Sequence, residues 1–135
     1  MANRAESPRS VVEAITKASS QPPVDYSTQM GWVLIALQNA FWQLLHAESL
    51  EEGIVNTINS GGDTDTNAAI AGALLGAVWG RDAVPRQWRD RILSCRPISG
   101  IVGITRPRPE AFWPVDALWL AERLVWLGGT DRTTK

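Results

Sequence analysis

Four small residues at intervals of four, Ala68, Gly72, Gly76 and Gly80, run through the segment GGDTDTNAAIAGALLGAVWG, residues 61–80. At helical spacing they share one stripe. Glycine inside a helix costs about 0.8–1 kcal/mol relative to alanine. Two such glycines on one stripe are expected only where another backbone packs close enough to offset that cost. The stripe therefore predicts a helix from about Asp65 to Trp79, held against a neighbour and ended by Gly80.

The rest of the chain reads as helices of ordinary length. Ser10 to Ser19 carries Val11, Val12 and Ile15 on one side, and Pro22-Pro23 ends it. From about Thr28 to Ala47, Leu34, Leu37, Phe41, Leu44 and Leu45 recur at helical spacing, with Trp32, Ile35 and Trp42 widening the apolar face. Ser49-Leu50-Glu51-Glu52 is a capping box, with Ser49 at the N-cap and Glu52 reaching back. That helix shows Leu50, Ile54 and Ile58 on one face and stops at Ser60-Gly61-Gly62, where glycine tolerates a left-handed turn. Pro85 opens a further helix whose inner face holds Trp88, Ile92 and Cys95. Arg96 to Ala111, with three prolines and two glycines, is a long loop. Pro114 opens a last helix to about Leu127, ended by Gly128-Gly129, before a polar tail. No alternating strand pattern appears, so the fold class is all-α, with five or six helices.

Composition narrows the partners. Thirteen Lys and Arg stand against 14 Asp and Glu, so no net field favours nucleic acid or an anionic membrane. The longest fully apolar run, Trp32 to Leu37, is far short of the roughly 20 residues of a membrane span. The polar N-terminus holds no signal core. A single cysteine, Cys95, makes no internal disulfide, and a cytoplasmic location is the expectation. The seven tryptophans are expected to be core packing residues.

The chemistry concentrates at Asp63-Thr64-Asp65-Thr66. Two carboxylates two residues apart can reach one point from a turn, hydroxyls flank them, and a helix begins there with free N–H groups. Such hard oxygens suit magnesium, calcium or manganese. Caps alone would also explain Asp and Thr at this place. An EF-hand is excluded, because Ala68 and Leu74 stand where its glycine and bidentate glutamate belong. Neither a P-loop nor a dinucleotide fingerprint is present.

The wider stretch 61–80 resembles the C-terminal signature of the ADP-ribosylglycohydrolase family. GWVLIALQNAFWQLLHAESLEEGI, residues 31–54, is similar to the helical pair that precedes the signature there. WPVDALWLAERL, residues 113–124, is similar to the closing helix of some members. The resemblance covers roughly residues 25–127, between an N-terminal segment with a short helix (1–24) and a polar tail (128–135). It implies an orthogonal helical bundle, part of that family's fold. It also implies a magnesium-dependent hydrolase that removes ADP-ribose from an ADP-ribosylated acceptor. In the family two magnesium ions are bound, and by resemblance Asp63, Asp65 and Thr66 ligate metal here. Thr64 turns aside, and Gly61 and Gly62 let the chain pass close to the ions or the distal ribose.

One part of the family pattern has no counterpart. Members carry a second ligand cluster near the N-terminus, a Thr or Ser followed by two aspartates. This sequence contains no Asp-Asp pair, and its first 30 residues hold only Asp25. At most a partial magnesium site is expected, with an N-terminal half or self-association supplying the remainder. The alternatives are a non-catalytic helical module that binds ADP-ribose or a protein partner, and a helical oligomerisation domain held by its tryptophans. His46 reads as a helix C-terminal residue favoured by the dipole, Cys95 as core, and Arg106 and Arg108 as part of a solvated loop.

Overall fold

A computed structural model describes residues 8–130, with side chains to Gly128. The first seven residues of the N-terminal segment and residues 131–135 of the polar tail lie outside the described residues. Six α-helices occur: α1 (Arg9–Lys17), α2 (Val33–His46), α3 (Leu50–Asn59), α4 (Thr64–Trp79), α5 (Arg86–Leu93) and α6 (Ala117–Thr130). Short 3₁₀ turns sit at Arg81–Ala83, Glu110–Phe112 and Pro114–Asp116, and no strand is present among the described residues. The all-α expectation holds. The chain divides into two compact units between Val84 and Pro85.

In the first unit α4 packs against both α2 and α3, and α1 packs on α2. The small-residue stripe does mark a close contact, but the buried row lies one residue away. Asn67, Ala71 and Leu75, at intervals of four, are the fully buried positions of α4. Gly72 and Gly76 flank that row and face Ile54 and Leu50 of α3. The tightest approach comes from α3 itself, at Gly53. A Cβ there would sit 2.6 Å from Leu75 Cδ1, so Gly53 is what lets α3 close on α4.

The face of α2 that reaches the core is also displaced from the expected one. Ile35, Ala36, Asn39, Ala40 and Gln43 are buried, whereas Leu34, Leu37, Phe41 and Leu44 are half-buried and Leu45 is exposed. The small and amide side chains admit α4 closely, while the large apolar ones spread over the flanks. Burying amides this way requires partners for them. Asn39 Nδ2 donates to Thr57 Oγ1 at 3.0 Å, and Thr57 Oγ1 donates to the Gly53 carbonyl at 2.8 Å. Tyr26 Oη donates to Asn39 Oδ1 at 2.9 Å, and Gln43 Nε2 donates to the same oxygen at 3.4 Å.

The local signals explain the element boundaries. Ser49 Oγ accepts from Glu52 N–H at 3.1 Å, the N-cap predicted, and the Glu52 carboxylate reaches back to Glu48 N–H at 2.7 Å. α2 starts at Val33 and not at Thr28, because Asp25 folds the preceding segment into a turn. Its carboxylate accepts from Ser27 N–H (2.7 Å) and Thr28 N–H (3.1 Å). α3 ends at Ser60, followed by Gly61 (φ +79°) and Gly62 (φ +69°) in the left-handed region. A Cβ on Gly61 would meet nothing, but one on Gly62 would run into the Tyr26 carbonyl, 2.8 Å from its carbon.

The second unit is thinner. Both α5 and α6 pack on the Pro114–Asp116 turn. The Trp113 indole donates to the Arg108 carbonyl at 3.0 Å, and the Arg96 guanidinium lies 5.6 Å from the Trp113 ring centre. No described residue from Pro85 to Gly128 is buried. Three expectations fail here. Cys95 is exposed and not core. Ile92 is exposed as well. α6 continues through Gly128-Gly129, because Gly128 keeps helical backbone angles and a helical glycine raises the cost without forcing a stop. The tryptophans also depart from expectation: none of the seven is buried, and Trp32, Trp119 and Trp126 are exposed.

Two measurements test this packing. Tyr26 is the only tyrosine, and burial pushes its hydroxyl above the ordinary value of 10.0, against a hydrogen bond from Ser60. A raised pKa means that its contribution to stability is complete below pH 10 and is lost as pH rises through the folded value. Tyrosinate absorbance is therefore expected to titrate above pH 10, together with loss of helical circular dichroism. A midpoint at or below 10 would show Tyr26 free of the core. Separately, Gly62→Ala is expected to destabilise the chain by about 1–3 kcal/mol more than Gly61→Ala in urea unfolding. Both variants share the left-handed strain, and only the first meets Tyr26.

Candidate functional site

The turn after α3 and the first residues of α4 hold the predicted metal ligands Asp63, Asp65 and Thr66, with Gly61 and Gly62. Asp63 is the N-cap of α4, Thr64 its first residue, Asp65 its second and Thr66 its third. The chain arrives there through the two left-handed glycines, and Thr64 N–H donates to the Gly62 carbonyl at 3.0 Å. The Gly62 backbone lies flat against Tyr26, so the start of α4 is fixed to the same hydroxyl–amide chain that organises the core.

Helix-start hydrogen bonding accounts for Asp65 but not for Asp63. Asp63 makes no side-chain capping bond, in contrast to Ser49 at the start of α3. Its carboxylate instead meets that of Asp65. The Asp63 carboxyl, then the N–H groups of Thr66 and of Asp65 itself, hold the Asp65 carboxyl below its ordinary value of 3.8, against some desolvation. Thr66 N–H donates to Asp65 Oδ1 at 3.0 Å. The free N–H groups of the helix start favour the ionised Asp65 carboxylate.

Asp65 and Thr66 are exposed, whereas Asp63 is half-buried. Asp63 and Thr66 line a cavity of about 120 Å³ together with Asn67, Trp32, Val33 and Ile70. Asp65 is not among its walls. Gly61 and Gly62 do not line it either; the close approach that Gly62 permits is to the Tyr26 backbone, and Gly61 faces open space. Two carboxylates and a hydroxyl are hard oxygen donors that suit a divalent cation. Three such donors fall short of the six that an octahedral cation takes. Among the described residues, no group of three or more His, Cys, Asp or Glu stands together to hold a metal. The donors present fit part of a metal site.

Other candidates resolve simply. His46 is the last residue of α2, exposed and stacked on Trp42 at 3.6 Å between ring centres, with Nδ1 2.9 Å from the Trp42 carbonyl. Arg106 and Arg108 are exposed on the loop. Among the described residues no helix is long and apolar enough to cross a membrane. Two residues of the site were not identified from the sequence. Asn67 lies one turn after Asp63, and that i, i+4 spacing was the available signal. Tyr26 gave none, because its contacts come from far along the chain.

The chain is 30% identical over 71 residues to the ADP-ribosylarginine hydrolase Tri1 of Serratia proteamaculans, covering 53% of this chain and 19% of that protein. It is 26% identical over 99 residues to the Tri1 of Pseudomonas putida, covering 73% and 27%. It is 49% identical over 41 residues to the ADP-ribosylhydrolase ARH3 of Homo sapiens, covering 30% and 11%. The aligned stretches thus amount to about a quarter or less of these relatives' own lengths. No solved structure matches the chain. The family model for ADP-ribosylglycohydrolase matches residues 1–124, and the chain belongs to that family.

Proposed function

We propose that this chain takes part in hydrolysing the bond between ADP-ribose and an acceptor, with magnesium held by Asp63, Asp65 and Thr66. The observation that carries the reading is the Asp63 carboxylate. It sits at the start of α4 without a capping bond, near the carboxyl of Asp65, and on the wall of a cavity of about 120 Å³. The family membership and the hydrolase names of the relatives support the class of reaction.

When bound, magnesium would supply the Lewis acidity that orders sugar hydroxyls and a water for attack at the anomeric carbon. The chain's own residues do the positioning. Asp63 and Asp65 concentrate negative charge at one point, where positive charge develops on the sugar as the bond breaks. Thr66 presents a hydroxyl on the cavity side of the same turn. Tyr26, through Gly62, holds the turn in register with the core. Three donors leave the cation weakly held, so further ligands must come from groups outside the described residues. Another copy or another polypeptide segment would supply them.

The test is release of ADP-ribose from ADP-ribosylated protein by the purified chain, with magnesium and with chelator. Magnesium-dependent release is expected where a second copy or an added segment completes the site, and Asp63→Asn with Asp65→Asn together should lower it by roughly a hundredfold or more. Undiminished release by the double variant would remove the metal assignment. Release indifferent to chelator would remove magnesium from the reaction.

A further inference from the structure

The second unit carries large apolar side chains without a core to receive them. No described residue from Pro85 to Gly128 is buried. On α6, Trp119, Leu120, Leu124, Val125 and Trp126 are each at least half exposed. Single exposed leucines are ordinary, but a helix open along its length with two tryptophans on one side marks an interaction surface. A unit of this size is marginal even with a packed core, and oligomerisation is one of the usual remedies.

The tryptophan side shows what fits it. At helical spacing Glu122, Trp126, Trp119 and Arg123 follow one another around one side of α6. The Arg123 guanidinium lies 5.6 Å from the centre of the Trp119 ring and 5.8 Å from that of Trp126. Two cation–π contacts therefore hold it between the indoles. Among the described residues neither Arg123 nor Glu122 makes an ion pair. The leucine side of the helix is uncharged and sets no such register.

This ladder is complementary to its own reverse. The middle of the described α6 side chains falls between Glu122 and Arg123. A two-fold axis there, with a second α6 running antiparallel, sets Trp119 opposite Trp126 of the second copy. The same axis sets Glu122 opposite Arg123 of the second copy, so both unpaired charges are matched. Each contact occurs twice, as an isologous interface requires. Trp and Arg are also the residue types that carry most binding energy at interfaces. The area suffices for a weak dimer. Trp119 is 60% and Trp126 63% exposed. With a buried tryptophan worth about 150–250 Å², the pair and the charges beside it present roughly 500 Å² per copy, or about 1,000 Å² in all, the threshold of a specific interface.

We infer that a second copy of this chain covers α6, in an antiparallel pair held by Trp119, Glu122, Arg123 and Trp126. The inference is independent of the hydrolase reading, because none of these residues belongs to the aspartate-bearing turn.

The test is sedimentation equilibrium of the 135-residue chain from about 1 to 200 μM, where a micromolar monomer–dimer equilibrium is expected. Arg123→Glu sets like charges across the axis, and Trp126→Ala removes half of the aromatic cover. Each should weaken the dimer about tenfold or more. Glu122→Arg combined with Arg123→Glu matches the charges again and should dimerise more tightly than Arg123→Glu alone. A chain that stays monomeric at the highest concentration overturns the inference. So does a dimer indifferent to either single substitution, or a reversed pair no tighter than Arg123→Glu. Circular dichroism checks that the variants fold. Should they not, the indole N–H resonances of Trp119 and Trp126 in the unaltered chain decide: they must shift on dilution, and constant positions overturn the pairing.

Discussion

The bond from Tyr26 to Asn39 ties together parts of the first unit that the sequence keeps far apart. Asn39 is on α2, and it bonds in turn to Thr57 on α3. The Tyr26 backbone presses on Gly62, which delivers the chain to the start of α4. A hydroxyl–amide–hydroxyl relay at full burial is demanding, because loss of any member strands the others in a low-dielectric interior. That demand gives the core one arrangement. It also means that the aspartate-bearing turn inherits its position from a polar network and not from its own sequence.

The helices pack through small residues more than through large ones. Gly53, Ala36, Ala40 and Ala71 make the innermost contacts, and α4 meets two neighbours at once through the row Asn67, Ala71, Leu75. The leucines and aromatics of α2 are left on its flanks. This inverts the common amphipathic scheme, in which large apolar residues define the buried face. Close backbone approach gains dispersion contacts that leucine-on-leucine packing would forfeit by distance, and it leaves room for amides in the interior.

These facts explain what could be read in advance. Helix ends governed by local chemistry were legible: Ser49 with Glu52, the glycine stop after Ser60, and Gly80. The all-α class was legible from spacing alone. Which face of each helix is buried was not. In α2 the apolar residues occupy nearly the whole circumference, so periodicity does not select a side, and the choice fell to Ala36, Asn39 and Ala40. In α4 the stripe Ala68, Gly72, Gly76 was read correctly as a contact but one residue off its centre, because Gly53 on the partner helix does the yielding. The tryptophans were misjudged for two reasons: Trp42 lies on the flank of α2 beside its small-residue contact, and Trp88, Trp113, Trp119 and Trp126 lie in the second unit, where no described residue is buried. Cys95 was placed inside α5's face, yet the second unit has no fully buried position to receive it.

The site was legible as far as its acidic pair, and the physics of that pair explains why. Asp63 and Asp65 are two residues apart at a helix start, so their meeting is local and spacing suffices to predict it. What the pair faces is not local. Trp32 enters from the turn before α2, some 30 positions earlier, and Asn67 turns inward only because α4 buries that row. Here the turn is held from behind by Tyr26 through Gly62, so its place depends on a residue far earlier in the chain.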